Sequence, residues 1–364
     1  MQVAASTEIV PAARRPKIWI ALADVCTGRD NNLNLMRFIA ALAVLGSHSF
    51  ILAGHPEPLF TNRSAGTIAV DVFFVSSGFL VARSMIGSDA ARYARSRFLR
   101  IYPGLIVSVL VTVVAVGLFG TTMTALNFFT DRTTAKYVLA NGSMLTRFVE
   151  FYLPGAFDTN PYASAVNGSL WTLPWEIRCY AVLGIGALVT GRSRRRAEAR
   201  IAFIVFVGTA IVVARLALLK WQHPVDPLIE QCMRLVPTFF VGALAYVMRR
   251  RIRLSWPIAV LIIAGLALAS RSFSAARFDS IYLLSAWYVV LVVAFVPGGR
   301  IRRFNRFDDI SYGLYIYAFP VQQLVAAHIS GVTVPQMFVL SSAVTVPLAV
   351  ASWRFVEHPM LRHR

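Results

Sequence analysis

The sequence predicts an all-α polytopic membrane protein with about ten transmembrane helices and both termini in the cytoplasm. Three observations support this fold class. Of the 364 residues, 57% are hydrophobic and only 15% are charged, and the mean hydropathy is +0.62. An average soluble domain is about a quarter charged. The apolar residues form long continuous runs, and the basic residues fall on every second connection between those runs.

The apolar runs define the expected helices. A membrane-spanning helix needs roughly 20 mostly apolar residues, and ten runs approach or meet this requirement. They are residues 35–53, 68–86, 103–120, 171–190, 201–219, 233–248, 255–270, 280–297, 311–330 and 335–355. Every backbone N–H and C=O group must be paired within the protein in lipid, so helices are expected. The runs do not alternate as the strands of a barrel would.

The remaining segments complete the predicted organisation. Residues 1–32 form a polar, basic tail that we expect to be loose and cytoplasmic. Residues 33–357 form the membrane domain, and 358–364 form a short cytoplasmic tail. The long connection at 121–168 is rich in aromatic residues, which argues against disorder. It is either a cap over a binding site or a belt of aromatic side chains at the membrane interface.

The net charge of +19 is explained by membrane topology. With the N-terminus placed inside, 23 Lys and Arg residues fall on the inner segments and 7 on the outer ones. This asymmetry is the one that cytoplasmic loops show. Nucleic acid is therefore not an expected partner. The three cysteines indicate neither a disulfide framework nor a metal site. The motifs of ATP hydrolysis, nicotinamide binding, zinc proteolysis and serine-elbow hydrolysis are absent.

Ionisable residues within the apolar runs are candidates for function, because a charge at mid-bilayer costs about 2.5–3.5 kcal/mol on insertion scales. They are Arg37, His48, Asp71, Arg83, Glu176, Arg178, Arg215, Arg234 and Arg354. Arg37 and His48 are eleven residues apart, so they share one helix face and lie about 16 Å apart along the axis.

Counting along the helices predicts two functional levels. His48, Asp71 and Glu176 are expected at an outer level, where an imidazole would act as a base and a carboxylate would orient it. Arg37, Arg83, Arg97 and Arg100 are expected at an inner level. Guanidinium groups bind phosphate in a bidentate manner, so this inner level suits the phosphates of a nucleotide-bearing donor such as coenzyme A.

Five sequence stretches, followed by a terminal RFVEHP, resemble the acyltransferase 3 family of integral membrane O-acyltransferases. These stretches are LNLMRFIAALAVLGSHSF, GTIAVDVFFVSSGFLVARSM, YARSRFLRIYP, NGSLWTLPWEIRCY and DDISYGLYIYAFPVQQ. The resemblance extends from about Asn32 to Pro359. It implies transfer of an acyl group, in the first place acetyl, from cytoplasmic acyl-CoA to a hydroxyl of a cell-envelope or exported glycan. It also implies the bacterial inner membrane and no permanently bound cofactor.

The resemblance also implies roles for single residues. His48 is expected to be the catalytic histidine, as a general base or as a transient acyl carrier, with Arg37 as its companion. Arg83, Arg97 and Arg100 are expected to meet the donor. Glu176 matches a glutamate of the family, and Glu176 or Asp71 would orient His48. Ala318 occupies a position that is often histidine in the family, so a histidine there is not required in this chain.

Two other functions share the polytopic form and the polar interior. One is a non-catalytic transporter of a glycan or a lipid-linked sugar, and the other is a structural subunit of an envelope-synthesis complex. The expected grouping of His48 with carboxylates favours the enzyme. Small-residue helix packing is the alternative explanation for Gly78, and topology is the alternative for Arg97 and Arg100.

Overall fold

The computed structural model describes residues 19–28, 30–60, 62–145, 149–163, 165–190, 196–218 and 227–362. Its α-helices are α1 Leu22–Val25, α2 Leu33–Leu52, α3 Ala65–Gly87, α4 Ala90–Phe119, α5 Ala125–Thr130, α6 Arg132–Ser143, α7 Leu173–Val189, α8 Arg196–Leu218, α9 Pro227–Val247, α10 Trp256–Ser272, α11 Ala275–Phe295, α12 Ser311–His328, α13 Val334–Ser352 and α14 His358–Leu361. Each apolar run of the sequence coincides with all or part of one of these helices. The all-α fold class is confirmed.

Short irregular segments join the helices. Strand β1 (Ile20–Ala21) pairs with β4 (Arg253–Leu254), and β2 (Leu59–Phe60) pairs with β3 (Arg63–Ser64), both in antiparallel fashion. The 3₁₀ segments Gly168–Thr172 and Gly299–Arg306 lie ahead of α7 and α12, and a π-helical turn, Trp353–Glu357, joins α13 to α14. None of these segments extends into a larger sheet within the described residues.

Seven segments of the described chain are long and apolar enough to cross a membrane. They are Leu33–Leu52, Ala65–Gly87, Ala90–Phe119, Gly168–Val189, Arg196–Leu218, Ala275–Phe295 and Val334–Arg362. The protein is therefore a multi-pass membrane protein. Of the other predicted spans, α10 has 17 residues. Helix α12 is buried on all sides from Ser311 to Gln323, so it contacts protein rather than lipid and tolerates polar side chains. The total of ten spans and the cytoplasmic termini stay predictions.

The connections between helices gather at two ends of the bundle, as the alternation of basic loops predicts. At the end that carries the basic loops, here called the basic end, the Asn32 N–H donates to Ala294 O at 2.8 Å and β1 pairs with β4. At the opposite end, the Asn62 side chain donates to Ser270 O at 3.1 Å. Each helix from α2 to α4 therefore runs the full length between the two ends.

Helix α4 begins earlier than the sequence predicted. The apolar run starts at residue 103, but the helix starts at Ala90, where the Asp89 side chain accepts a hydrogen bond from the Arg92 N–H at 2.8 Å. The helix continues through Pro103. Arg97 and Arg100, expected on a loop, are therefore one turn apart on a rigid helix. A criterion based on hydropathy alone does not detect the first half of α4, because that half is polar.

Two segments expected to be tails are packed against the bundle. Leu22 and Cys26, within the predicted loose N-terminal tail, are almost fully buried. At the other terminus, α14 follows α13 without a break, and Leu361 contributes to the wall of a cavity. Residues 1–18 and 363–364 lie outside the described residues.

Arg200, one of the 23 basic residues that the sequence places on the inner segments, closes the ends of two helices. Its side chain is 1% exposed. It donates to the carbonyl oxygens of Met85, Ser88 and Ala187, and to the Thr190 hydroxyl. Carbonyls at a helix end have no intrahelical partner, so one guanidinium satisfies the ends of both α3 and α7. This role is structural and additional to topology.

Helices α3 and α9 approach so closely that only glycine fits between them. A Cβ atom at Gly78 would lie 1.9 Å from Phe239 O, and one at Gly242 would lie 2.1 Å from Val75 O. We expect Gly78→Ala to separate the helices and to lower stability by more than about 3 kcal/mol, since ordinary overpacking already costs 1–3 kcal/mol. Thermal unfolding in detergent measures this. Gly265→Ala, which meets open space, is the control, and equal losses would contradict the explanation.

Candidate active site

A cavity of about 840 Å³ opens between α2, α3, α4, α7 and α12 near the basic end. Four arginines and two carboxylates contribute to its wall: Arg37, Arg83, Arg97, Arg100, Glu176 and Asp309. The predicted inner cluster of arginines is therefore brought together in space. Helices α2, α3 and α4 supply these four arginines, so the cluster depends on the packing of all three.

Three of the arginines retain free hydrogen-bond donors. Arg97 has a contact to Ser96 Oγ at 3.2 Å and lies 5.7 Å from the centre of the Tyr180 ring. Arg83 donates to Cys26 O at 3.0 Å, and Nε of Arg37 is buried without a partner. Within the described part of the chain, none of the three forms an ion pair. A guanidinium carries five N–H donors, so the cavity wall offers unused donors and positive charge.

Arg100 differs because carboxylates already neutralise it. It pairs with Asp309 at 2.7 Å and with Glu357 at 3.8 Å. Burial alone would raise the pKa of the Asp309 carboxyl, but the charges of Arg100 and Arg37, with the Ser311 hydroxyl, bring that pKa below its usual range. Asp309 therefore stays ionised. Besides the expected role in donor binding, Arg100 therefore has a structural role, which is to pair with Asp309 and Glu357.

Glu176 lies at the cavity rather than beside His48. Its Oε1 atom accepts from Ser77 Oγ at 2.7 Å and from Tyr180 Oη at 2.5 Å. Glu176 also occupies the first turn of α7, where the helix dipole stabilises a negative charge. The predicted outer level for Glu176 is wrong, because it shares the cavity wall with Arg37.

A second, smaller cavity that we call the neck adjoins the first and shares Arg37, Glu176 and Tyr312 with its wall. Its wall consists of Arg37, Val70, Phe73, Phe74, Thr172, Leu173, Glu176, Tyr312 and Tyr315. Tyr315 lies one turn beyond Tyr312 along α12, and Phe73 lies one turn beyond Ser77 towards the opposite end of the bundle. The neck therefore lies on the side of the cavity that is further from the basic end.

His48 lies further from the basic end than the neck, and it lines neither the neck nor the cavity. Its ring packs edge-on against Phe319, with centroids 5.1 Å apart, and Phe319 follows Tyr315 by one turn of α12. Helix α2 is unbroken from Leu33 to Leu52, so Arg37 and His48 share a face, about 16 Å apart. His48 is half-buried, and its Nδ1 atom has no hydrogen-bond partner. It takes part in none of the ion pairs of the described residues.

Gln322 lies on α12 next to the part of α2 that carries His48. Its Nε2 atom donates to Leu45 O and to Ser49 Oγ, each at 2.9 Å. A backbone carbonyl only accepts, so the amide nitrogen must face Leu45, and Oε1 is the atom left without a partner. The region around His48 thus contains a buried acceptor that the sequence analysis did not single out.

Asp71 belongs to a separate ion-pair cluster. It pairs with Arg63 at 3.1 Å and with Arg234 at 3.7 Å, and Arg63 also pairs with Asp279 at 2.6 Å. Asp71 lies on the same face of α3 as Val75, and this face packs against α9. The prediction that Asp71 and His48 belong to one group is therefore wrong. The sequence placed Asp71 at the correct depth along α3. It did not reveal that the side chain faces α9 instead of His48.

The long connection at 121–168 contains α5 and α6 and then packs onto α12 beside His48. Asn160 Nδ2 donates to Gln323 Oε1 at 2.7 Å, and Gln323 Nε2 donates to Ala165 O at 2.6 Å. Tyr162 packs edge-on against Phe319, with centroids 6.0 Å apart. The segment that contacts α12 is therefore close to His48. This geometry suits a cap, whereas an interfacial belt requires no contact with α12.

The site includes polar residues that were not predicted. Asp309, Glu357, Tyr312, Tyr180 and Ser77 were not selected, although all but Tyr180 lie inside stretches whose resemblance had been noted, and Tyr180 ends one of them. Asp309 and Glu357 are far apart in sequence and meet only at Arg100. A search for carboxylates inside the noted stretches would have found both.

Comparisons with known proteins give one consistent result. The model of the acyltransferase domain family, acyltransferase 3, matches residues 30–354. An O-acetyl transferase of Shigella phage Sf6 is 30% identical over 351 residues, covering 92% of this chain and 96% of the relative. Nodulation protein 10 of Rhizobium leguminosarum bv. viciae is 26% identical over 361 residues, covering 93% and 95%. No solved structure matches the chain.

Proposed function

The chain belongs to the acyltransferase 3 family and is a membrane-bound O-acyltransferase, and on this basis we propose that it moves an acetyl group from acetyl-CoA to a glycan hydroxyl. Family membership makes the chain an enzyme, which removes the non-catalytic transporter and the structural subunit as alternatives. The acetyl group follows the name of the phage relative. The acceptor is a cell-envelope or exported glycan, and the location is the bacterial inner membrane.

The donor enters from the basic end in this proposal. Arg37, Arg83 and Arg97 offer unpaired guanidinium donors to the phosphates of coenzyme A. A charge-assisted hydrogen bond contributes about 1.5–3 kcal/mol, so three such residues supply enough energy to hold the nucleotide. The cavity of about 840 Å³ lies within the range of roughly 300–1,000 Å³ that ligand sites occupy.

The thioester extends through the neck towards His48, where the acceptor hydroxyl arrives from the opposite end. His48 takes the hydroxyl proton while the acceptor oxygen attacks the carbonyl carbon. The carbon–sulfur bond breaks, and the leaving thiolate takes the proton back from the His48 imidazolium to give free coenzyme A. A general base of this kind contributes roughly 10²–10⁴-fold to the rate. His48 as a transient acyl carrier is the second form of the mechanism.

One observation carries the proposal. A cavity with unpaired arginines lies at the basic end, the neck adjoins it, and an imidazole lies about 16 Å beyond Arg37 along α2. A phosphate site and a base at this separation suit a donor that carries its reactive group at the end of a long arm. Glu176, with Ser77 and Tyr180, lies at the entrance to the neck and would contact that arm.

The test is thiol release from acetyl-CoA in purified membranes, measured with and without an extract of surface glycans. We expect release to increase in the presence of the extract and an acetyl ester to appear on the glycan by mass spectrometry. The matched comparison is a membrane preparation that contains the His48→Ala protein at the same level. Release that is equal in both preparations would overturn the proposal.

A further inference from the structure

We propose that Gln322 orients His48. Its amide nitrogen holds the turn of α2 that carries the histidine, and its amide oxygen accepts a hydrogen bond from Nδ1–H of the ring. This inference rests on the proposed function, since it concerns His48 as the base. The two carboxylates expected to orient the ring lie elsewhere, because Glu176 contributes to the cavity wall and Asp71 pairs with arginines. The place of an orienting acceptor is therefore open to a neutral side chain.

Hydrogen bonds join Gln322 to the turn of α2 that carries His48. Gln322 Nε2 donates to Leu45 O and to Ser49 Oγ, each at 2.9 Å. The Ser49 hydroxyl itself donates to Leu45 O at 2.9 Å, and the side chains of Gln322 and Ser49 are completely buried. Leu45 precedes His48 by three residues and Ser49 follows it directly, so both lie on its turn. A movement of this turn away from α12 would break both bonds of the amide nitrogen.

Two buried polar atoms without a partner lie at this contact between α2 and α12. They are Oε1 of Gln322 and Nδ1 of His48. An amide oxygen only accepts, and an imidazole nitrogen donates when it carries the proton. A buried polar atom without a partner costs free energy, so a hydrogen bond between the two removes both costs. The atoms are not bonded in the structure, and pairing requires the ring to turn about its Cβ–Cγ bond. This torsion is broad in histidine.

The proposed hydrogen bond decides which ring nitrogen is the base. A neutral imidazole has one nitrogen that donates and one that accepts. With its proton on Nδ1 and bonded to Gln322, His48 presents an unprotonated Nε2, which takes the proton from the acceptor hydroxyl. The hydrogen bond that one ring nitrogen makes sets the protonation of the other. Without the amide oxygen, molecules with the proton on Nε2 become populated, and these have no base at that atom.

Nitrogen NMR of the full-length protein with isotope-labelled histidine tests the inference without donor or acceptor. The chain has six histidines, and the spectrum of His48→Gln identifies the His48 signals. At alkaline pH we expect the wild-type His48 proton on Nδ1. In Gln322→Met the proton should shift towards Nε2, because methionine keeps the size of the side chain and lacks the amide. The Ser49 hydroxyl keeps its bond to Leu45 O in this variant, so it is not left without an acceptor.

The same variants are expected to change transfer in the same order. With both substrates saturating, Gln322→Met should release thiol about 10²-fold more slowly, the effect of misplacing a reacting group by about 1 Å. Its donor dissociation constant should stay that of the wild type. Gln322→Glu is the conservative variant, because its carboxyl group keeps an oxygen that accepts from Nδ1–H in either protonation state. It should keep the proton on Nδ1 and transfer faster than Gln322→Met.

Gln323→Met is the matched control. Gln323 is as completely buried as Gln322, but its amide binds Asn160 and Ala165 of the long connection rather than α2. The His48 proton should therefore stay on Nδ1. A proton on Nε2 in the wild type would overturn the inference even if Gln322→Met does not fold, and so would a proton that stays on Nδ1 in folded Gln322→Met. The spectra require no reaction, so this outcome is distinct from transfer that is independent of His48, which would overturn the proposed function.

Discussion

Replacement of His48 by alanine is expected to remove acyl transfer, lowering the rate by roughly 10²–10⁴-fold or more, while donor binding stays unchanged. The imidazole lies about 16 Å from Arg37 along α2, too far from the arginine cavity to contact the coenzyme A phosphates. Thiol release at saturating acetyl-CoA measures the rate, and calorimetry measures the donor dissociation constant.

The matched control for His48→Ala is His328→Ala. His328 is exposed at the end of α12 and contacts only the Leu324 carbonyl among the described residues, so its removal should leave transfer intact. His48→Gln keeps a hydrogen-bonding side chain without a base and should be as inactive as alanine. Transfer by the His48→Ala protein within about threefold of the wild-type rate would exclude His48 as the base, whose loss should cost far more.

Arg97→Gln and Arg100→Gln are expected to fail in different ways, although both residues contribute to the same cavity. Arg97 forms no ion pair within the described chain, so its loss leaves no carboxylate without a counter-charge and removes, besides the contacts to Ser96 and the Tyr180 ring, its contacts to the donor. The donor Michaelis constant should rise tenfold or more, because each charge-assisted hydrogen bond contributes about 1.5–3 kcal/mol. Thermal stability should stay that of the wild type.

The loss of Arg100 leaves Asp309 and Glu357 without their counter-charge. Removal of one partner from a buried ion pair costs about 3–5 kcal/mol, so Arg100→Gln should lower the unfolding temperature and the amount of folded protein. Arg95→Gln is the control for both variants, because Arg95 lies on the same helix and is exposed. If the donor Michaelis constant is unchanged in Arg97→Gln, Arg97 is only a topology signal. If Arg100→Gln is as stable as the wild type, the ion-pair explanation is contradicted.

The sequence by itself determined the helices, their alternation between two ends and the shared face of Arg37 and His48. Each of these properties is local. Apolar runs are long because lipid surrounds them, and the spacing of two residues on one continuous helix fixes their relative direction. The family resemblance carried by the five stretches is confirmed for the same reason, since each motif was complete within a short segment.

Only the tertiary structure decided which residues from different helices meet. Glu176 was placed at the outer level by counting from Trp171 as the start of a span. The chain is already deep at that point, because Asn167 Nδ2 donates to Ile316 O at 2.9 Å in the middle of α12. Irregular backbone is tolerated at such depth when protein surrounds it, and hydropathy alone does not reveal it. Glu176 therefore starts its helix at the level of Arg37.

For Asp71 the sequence predicted the depth but not the neighbouring helix. Its depth was close to the expected one, but the rotation of α3 turns it towards α9, where Arg63 and Arg234 neutralise it. That rotation is set by Gly78 and Gly242, which allow α3 and α9 to touch. Spacing within one helix does not define which neighbour a face meets. Contacts between helices do, and they alone produced the cavity, the neck and the carboxylates around Arg100.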